Sequence, residues 1–325
     1  MSSDGHRGIE AFWDWWARHC DGIASAISAG TIASWVPEIT SVVRAIDSGL
    51  LWEVAPASRA THALIVTAEG QAELFGVVDD WLTNAPSGDT TWEFHAGRPP
   101  GPLDTLVVEG LAFGLGNVRA QWTRDDGRER LDLELWHPAW INATPRALGL
   151  SSQLFLDRLL GEIDKERWIG SVETVDSARE GADPGALRAA VEMLADTATK
   201  QKWTTTQRRS LDGRATLLTM NEALKRIDHP RASWHLIVSV DRDPGTAQGP
   251  RSITADDVVA IMESLDATLA AVVADAQRSI FHFVVDPSLG AIAAALAWAR
   301  RIRGAHVTAT ADPAWRFRGD LILGG

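Results

Sequence analysis

The stretch TADDVVAIMESLDATLAAVVADAQRSIFHFVVDPSLGAIAAALAWARRIRGAHVTAT, residues 254–310, switches period several times, and those switches set the fold class. Thr254 with Asp257 three residues on is a capping-box start, and Val258, Met262, Leu265, Leu269 and Val272 then follow helical spacing. Residues 280–285, IFHFVV, read as a buried strand. Asp286-Pro287 places an N-cap residue and a proline at the opening of a second helix. That helix carries Leu289, Ile292, Leu296 and Ala299 until Gly304 stops it. Residues 306–310 supply a further strand, and residues 203–208, 215–220 and 234–240 supply three earlier ones. Strand, helix, strand, helix, strand predicts an α+β or α/β domain, a parallel or mixed sheet with helices packed on it, of ferredoxin-like character.

Towards the N-terminus, a helix at about 185–199 is preceded by residues 176–185, rich in Ser, Gly, Asp and Pro. The composition of that stretch marks a domain boundary, dividing the chain into an acidic α+β domain over 1–177 and a second domain over 184–325. In the first, Ile9, Phe12, Trp13, Trp16, Cys20 and Ile23 form the apolar stripe of a helix. Further helices are expected over 31–47 and around Leu74 to Leu82, with strands at 51–55, 63–67, 91–95, 105–109, 118–123 and 131–136. In the last of these Leu131, Leu133 and Leu135 alternate with Asp132, Glu134 and Trp136, the period of a sheet with one wet face. Ser151 or Ser152 is placed to cap a helix bearing Leu154, Phe155, Leu159 and Leu160, and residues 168–175 read as a closing strand.

Composition bounds the function. Residues 1–178 hold 13 Lys and Arg against 26 Asp and Glu, so the whole of the net charge of -12 belongs to the first half. Such a surface repels phosphate backbones and disfavours nucleic acid as a partner. Cys20 is the only cysteine, which excludes an intramolecular disulfide and a Cys-based zinc site and fits a reducing compartment. The first ten residues lack the apolar stretch of a secretory signal, and the longest apolar run, 291–299, is too short to span a bilayer. The expectation is a cytoplasmic protein with no membrane partner. Fifteen Trp stand beside no Tyr, and most of the Trp fall in periodic apolar patterns, which makes them core residues.

No GxSxG, HExxH, CxxC or P-loop string occurs, and no cofactor is implied. Gly114-Leu115-Gly116 lacks the third glycine of a dinucleotide fingerprint and reads as a hairpin turn. Glu162 is open to two readings, a cleft carboxylate for acid–base work or a structural group at the start of the next short helix. Asp132, Glu134 and His137 form either a hydrolytic or metal cluster or a solvated sheet face. Asp286 with His282 suggests an acid–imidazole pair, against which Asp286 sits where an N-cap is expected. Asp312-Pro313-Ala314-Trp315 is a candidate partner-binding loop, with Trp315 as the apolar anchor and Arg316 and Arg318 as anion partners; the alternative is a turn whose Trp packs into the core.

Trp203, Asp212-Gly213, residues 221–224, the strand ending at Val285 and above all Asp312-Pro313-Ala314-Trp315 resemble the bacterial domain of unknown function (DUF) family 695, over most of residues 200–323. The first half, with its FWDWW start at Phe12, Trp92 and LFLDRLLGEIDKERWIG at Leu154 to Gly170, is similar to N-terminal regions accompanying such domains in uncharacterised bacterial proteins. Family 695 is sometimes found beside domains related to the regulator of ribonuclease E activity, so the resemblance implies a regulatory binding role and supplies no catalytic residues. The expectation is a non-catalytic module that binds another protein through Asp312, Trp315, Arg316 and Arg318. The alternatives are a small-molecule-binding or hydrolytic enzyme with an interdomain site, and RNA or nucleotide binding by Arg300, Arg301, Arg303, Arg316 and Arg318 together.

Overall fold

A computed structural model describes residues 3–175, 180–209, 215–241 and 254–323. Residues 176–179 of the expected boundary and the Asp212-Gly213 turn lie outside the described residues. The chain forms two compact units, Ser2–Ala198 and Thr199–Gly325.

In the first unit α1 (Ser3–Ser28), α2 (Val36–Ile46) and α3 (Phe75–Thr83) accompany a sheet of β1 (Leu51–Pro56), β2 (His62–Thr67) and β3 (Trp92–Ala96). Central β2 is antiparallel to β1 and parallel to β3, and all six of its residues are buried, as a strand covered on both faces must be. The aromatic stripe of α1 enters this core: Trp13 stacks on Trp81 and Trp16 meets Trp92 edge-on, both at 4.9 or 4.8 Å between centroids. These indoles are packing residues, as the periodicity predicts. Cys20 is only partly buried against this core, and burial together with the neighbouring Asp21 raises its pKa, the setting of an inert thiol.

A second core of the same unit gathers β4 (Thr105–Val108), β5 (Leu111–Gly114), β6 (Arg119–Asp125), β7 (Arg130–Trp136), α4 (Pro145–Leu160), α5 (Glu162–Trp168), β8 (Ile169–Val175) and α6 (Pro184–Thr197). Along β7 the predicted alternation holds, with Leu131, Leu133 and Leu135 buried and the residues between them half-buried. The structure departs from expectation at three places. The hairpin turn is Glu109-Gly110, both at positive φ, between β4 and β5; Gly114-Leu115-Gly116 instead leads out of β5 into a short 3-10 turn toward β6, which pairs with β7. Helix α4 starts six residues before Ser151, capped by Thr144 Oγ1 accepting from Ala147 N, because Pro145 supplies a preorganised first turn. Helix α6, expected beyond the boundary, belongs to this unit, since Leu187, Val191 and Leu194 are buried against Leu159, Leu160 and their neighbours.

The second unit is a six-stranded sheet in the order β14-β11-β13-β12-β10-β9. Its strands are β9 (Trp203–Arg209), β10 (Ala215–Asn221), β11 (Trp234–Asp241), β12 (Thr268–Ala274), β13 (Arg278–Val285) and β14 (Ala305–Ala311), with α7 (Ala255–Glu263) after β11, α8 (Ala291–Ala299) after β13 and α9 (Phe317–Leu323) at the end. From β11 to β14 this is the β-α-β-β-α-β ferredoxin-like order, extended at one edge by the β9–β10 hairpin. Every pairing is antiparallel. Each helical crossover does join two strands running the same way, but an antiparallel strand lies between them, so the sheet is neither parallel nor mixed as the strand–helix alternation suggested.

The predicted helix through Leu269 and Val272 is also corrected. Helix α7 begins on the Thr254–Asp257 capping box but ends at Glu263, and residues 268–274 form β12. Asp266 at φ 57° breaks the helix between them. Asp286 accepts from Ser288 N at 2.8 Å and caps only a 3-10 turn, and α8 starts after left-handed Gly290. One sheet face packs on α7 and α8 through Leu236, Val238, Phe281, Phe283 and Val285. The opposite face carries His235, His282, Val284, Ala271, Val273, Leu218 and Met220, and α9 lies against it through Phe317 and Leu321.

Candidate functional site

The Asp312–Trp315 motif builds the seat of α9. Asp312 accepts from the backbone N–H of Arg316 (2.9 Å) and of Phe317 (3.0 Å), tying the start of the helix. Trp315, at φ 56°, is buried and donates its indole N–H to Ala232 O at 2.7 Å, with the Arg226 guanidinium 5.6 Å from its ring centroid. Arg318 donates to the carbonyls of Leu224 and Asn221, each at 2.9 Å. Of the four expected partner-binding residues, three therefore hold the fold together, and Arg316 alone is exposed. The packed-core alternative for Trp315 is the one the structure contains.

The seat holds α9 over a cavity of about 700 Å³ in the second unit, bounded by Leu218, Val273, Phe317, Leu321 and the histidines His235 and His282, with Arg209 and Asp320 also on its wall. Arg208 donates to the carbonyls of Leu321 and Ile322, anchoring the last turn of α9 to edge strand β9 and neutralising the negative end of the helix. The sequence pairs His282 with Asp286, but its partner is His235. Their strands β11 and β13 are neighbours, with His235 opposite Val284 and His282 opposite Ile237, so the two imidazoles lie diagonally on one face. His235 Nε2 and His282 Nδ1 are 2.9 Å apart.

The ring centroids lie 5.1 Å apart with planes only 16° from parallel. That is the spacing of two imidazoles joined edge to edge in one plane, the hydrogen bond plus two ring radii of roughly 1.1 Å. Phe317 is parallel to both, 3.9 Å from His235 and 6.2 Å from His282. The three separations make a nearly right-angled triangle with its corner at His235. Phe317 thus stands over His235 and not over His282.

Both imidazoles are only 7% exposed. Burial lowers the pKa of each to about 4, helped at His282 by the charge His235 would carry and opposed at His235 by Asp312. In the neutral pair one ring donates and the other accepts, so of the outer nitrogens, His235 Nδ1 and His282 Nε2, one is an N–H and the other a lone pair. Neither has a hydrogen-bond partner among the described residues. Bases this weak make poor proton acceptors at neutral pH, and the lining is suited to recognition.

A second constellation lies in the first unit, at the carboxyl ends of the parallel strands β2 and β3. Thr67 Oγ1 is 2.6 Å from both oxygens of Glu162, which also accepts from Arg98 N at 3.2 Å. The Arg98 guanidinium bridges Glu53 (3.2 Å), Glu69 and Asp157 (3.6 Å), and Lys165 Nζ lies 2.7 Å from Asp157 and 3.5 Å from Glu166. Burial raises the pKa of Asp157 and Glu166, against the pull of Lys165. At Arg98 burial works against the charge, but Glu69 and Glu53 outweigh it and raise the pKa above its ordinary value. Gly97 and Gly161, at φ 96° and 80°, let the backbone pass close to Glu162 and Pro100. Every cation here is engaged by carboxylates, so the network locks the α4–α5 corner onto the ends of β2 and β3; this is the structural reading of Glu162.

The other expected clusters do not assemble. Asp132 accepts from Ser171 N (2.6 Å) and pairs with Arg128 (3.0 Å). His137 instead caps a 3-10 turn through Ala139 N and faces Gly114 O at 3.1 Å, and burial lowers its pKa. No helix among the described residues is long and apolar enough to cross a membrane. No protein-family model, curated protein or solved structure matches the chain.

Proposed function

We propose that this protein is a non-catalytic, regulatory binding protein whose second unit takes a small organic molecule into the cavity beneath α9. The observation that carries the reading is the His235–His282 pair, nine-tenths buried, lining a 700 Å³ space with two outer nitrogens that no described residue satisfies. A cavity of this volume with a mainly apolar wall and a few polar groups has the make-up of a ligand site. The regulatory part of the proposal rests on the resemblance of residues 200–323 to family 695. It moves the binding element away from the Asp312–Arg318 surface, whose Trp315 is internal, to the cavity that this motif supports.

The test is a thermal-shift screen of a fragment library against the wild type and Leu218→Trp, a substitution that fills the cavity from its floor. Compounds that stabilise the wild type and leave the variant unshifted support the reading. A library that shifts neither protein, or both equally, overturns it.

A further inference from the structure

The sheet of the second unit ends on β9, and that edge is open. Trp203 to Gln207 and Arg209 are exposed, and among the described residues β9 pairs with β10 alone. Edge strands are ordinarily protected by a proline, a bulge or a covering segment, because their outward N–H and C=O groups template further pairing. Here there is no proline, and the register with β10 runs unbroken over all 7 residues. Glu222 N donates to Lys202 O at 2.8 Å, so the polar groups of Lys202 face β10. The alternation of an antiparallel ladder then turns the backbone N–H and C=O of Trp203, Thr205, Gln207 and Arg209 outward.

Both flanks of this edge are apolar. Trp203 and Leu217 are exposed on the face that carries Thr205, Gln207 and Arg209. On the other face the last turn of α9, which Arg208 holds against β9, exposes Ile322 and Leu323. Among the described residues of this unit, Leu296 on α8 is the one other exposed large apolar side chain. Exposed apolar groups gathered around an unpaired strand mark an interface. The opposite edge, β14, carries no charged residue and no exposed large apolar side chain.

We propose that the partner at this edge is a second copy of this chain, whose β9 pairs antiparallel with the first about a two-fold axis at Thr206. In that register the strand is its own complement. All 7 residues pair, and the outward N–H and C=O groups of Trp203 and Thr205 meet those of Arg209 and Gln207 in the second copy. Each exposed Trp203 lies opposite an Arg209 on the same face, where a guanidinium stacks on the indole. Each Thr204, whose hydroxyl donates to Glu222 at 2.6 Å, lies opposite an Arg208, which brings unlike charges together. A slip that centred the axis on Arg208 would set like charges face to face. Dimerisation of this kind is independent of what occupies the cavity beneath α9.

The experiment uses the full chain. Sedimentation velocity from about 1 to about 100 μM should show a monomer–dimer equilibrium. Gln207→Pro removes an outward N–H from each copy while leaving the β10 ladder intact, and should weaken association roughly tenfold or more with an unchanged circular dichroism spectrum. Cys20 is the only cysteine, so Cys20→Ser gives a clean background for cross-linking. There Thr206→Cys should join two copies under mild oxidation, because a non-hydrogen-bonded pair on the axis sets its Cα atoms roughly 4.5 Å apart, within disulfide reach. Thr205→Cys, displaced from the axis, should not. A wild type that stays monomeric over the whole range overturns the proposal. So does a dimer that a folded Gln207→Pro leaves unaffected, or one in which Thr206→Cys fails to cross-link or Thr205→Cys cross-links as readily. Should Gln207→Pro fail to fold, the pair of cysteine variants decides.

Discussion

The His235–His282 pair makes the stability of the second unit steeply dependent on pH below neutrality. Both rings are held neutral in the fold down to about pH 4, whereas the ordinary value for each is 6.5. Above that value folded and unfolded chains bind the same number of protons at these sites, and nothing is lost. As pH falls from 6.5 towards 4 the unfolded chain takes up protons that the fold refuses, so stability drops at about 1.4 kcal/mol per pH unit for each imidazole. The interval amounts to about 3.5 kcal/mol for one ring and up to about 7 kcal/mol for the pair, a large part of the roughly 5–15 kcal/mol that holds a domain folded. The assay is urea unfolding of the wild type and of His235→Gln/His282→Gln from about pH 7.5 to about pH 4.5. The difference between the two proteins cancels the other titrating groups, including His229, whose pKa burial also lowers. Above pH 6.5 the difference should be flat, and below it should fall towards the wild type's disadvantage. A difference that stays flat throughout, or imidazole NMR signals in the folded protein titrating near 6.5, refutes the reasoning.

Trp315→Phe should destabilise the second unit by about 1–3 kcal/mol, because Ala232 O loses its buried 2.7 Å donor, and Trp315→Ala should cost more; a surface anchor would leave the thermal midpoint in place. Gly161→Ala should destabilise the first unit by about 2 kcal/mol or more in chemical denaturation, since Gly161 sits at φ 80° and an added Cβ would meet Pro100 Cδ at 2.8 Å and Pro100 N at 3.1 Å; an unchanged midpoint would show that the α4–α5 corner relaxes freely.

Local chemistry was legible in the sequence wherever a single element's own residues decide its conformation. Thr254 and Asp257 form the capping box their spacing announces, Leu131, Leu133 and Leu135 face inward, and the aromatic stripe of the first helix is core. The helix predicted through Leu269 and Val272 failed because a register shift between Leu269 and Ala271 brings these two half-buried side chains, three residues apart, to one face of β12, so a bulged strand reproduces the helical interval. Asp312-Pro313-Ala314-Trp315 stood out correctly, but its role did not: a Trp beside two Arg reads as a docking surface until Ala232 and the 221–224 carbonyls are placed beside it.

The candidate site lies beyond the reach of local reading. His235 and His282 are 47 residues apart, and only the pairing of β11 with β13 in one register sets them on the same face at 2.9 Å. Thr67 and Glu162 meet across 95 residues in the same way. The sequence by itself determined the secondary elements, the apolar faces they bury and the α+β class, because those follow from residue spacing and backbone preference over a few turns. Strand order, the face left for α9 to cover, the cavity beneath it and the neutral state of its histidines were decided by the tertiary structure alone. Each depends on which distant segments exclude water from one another, and no residue carries that information until its neighbours are in place.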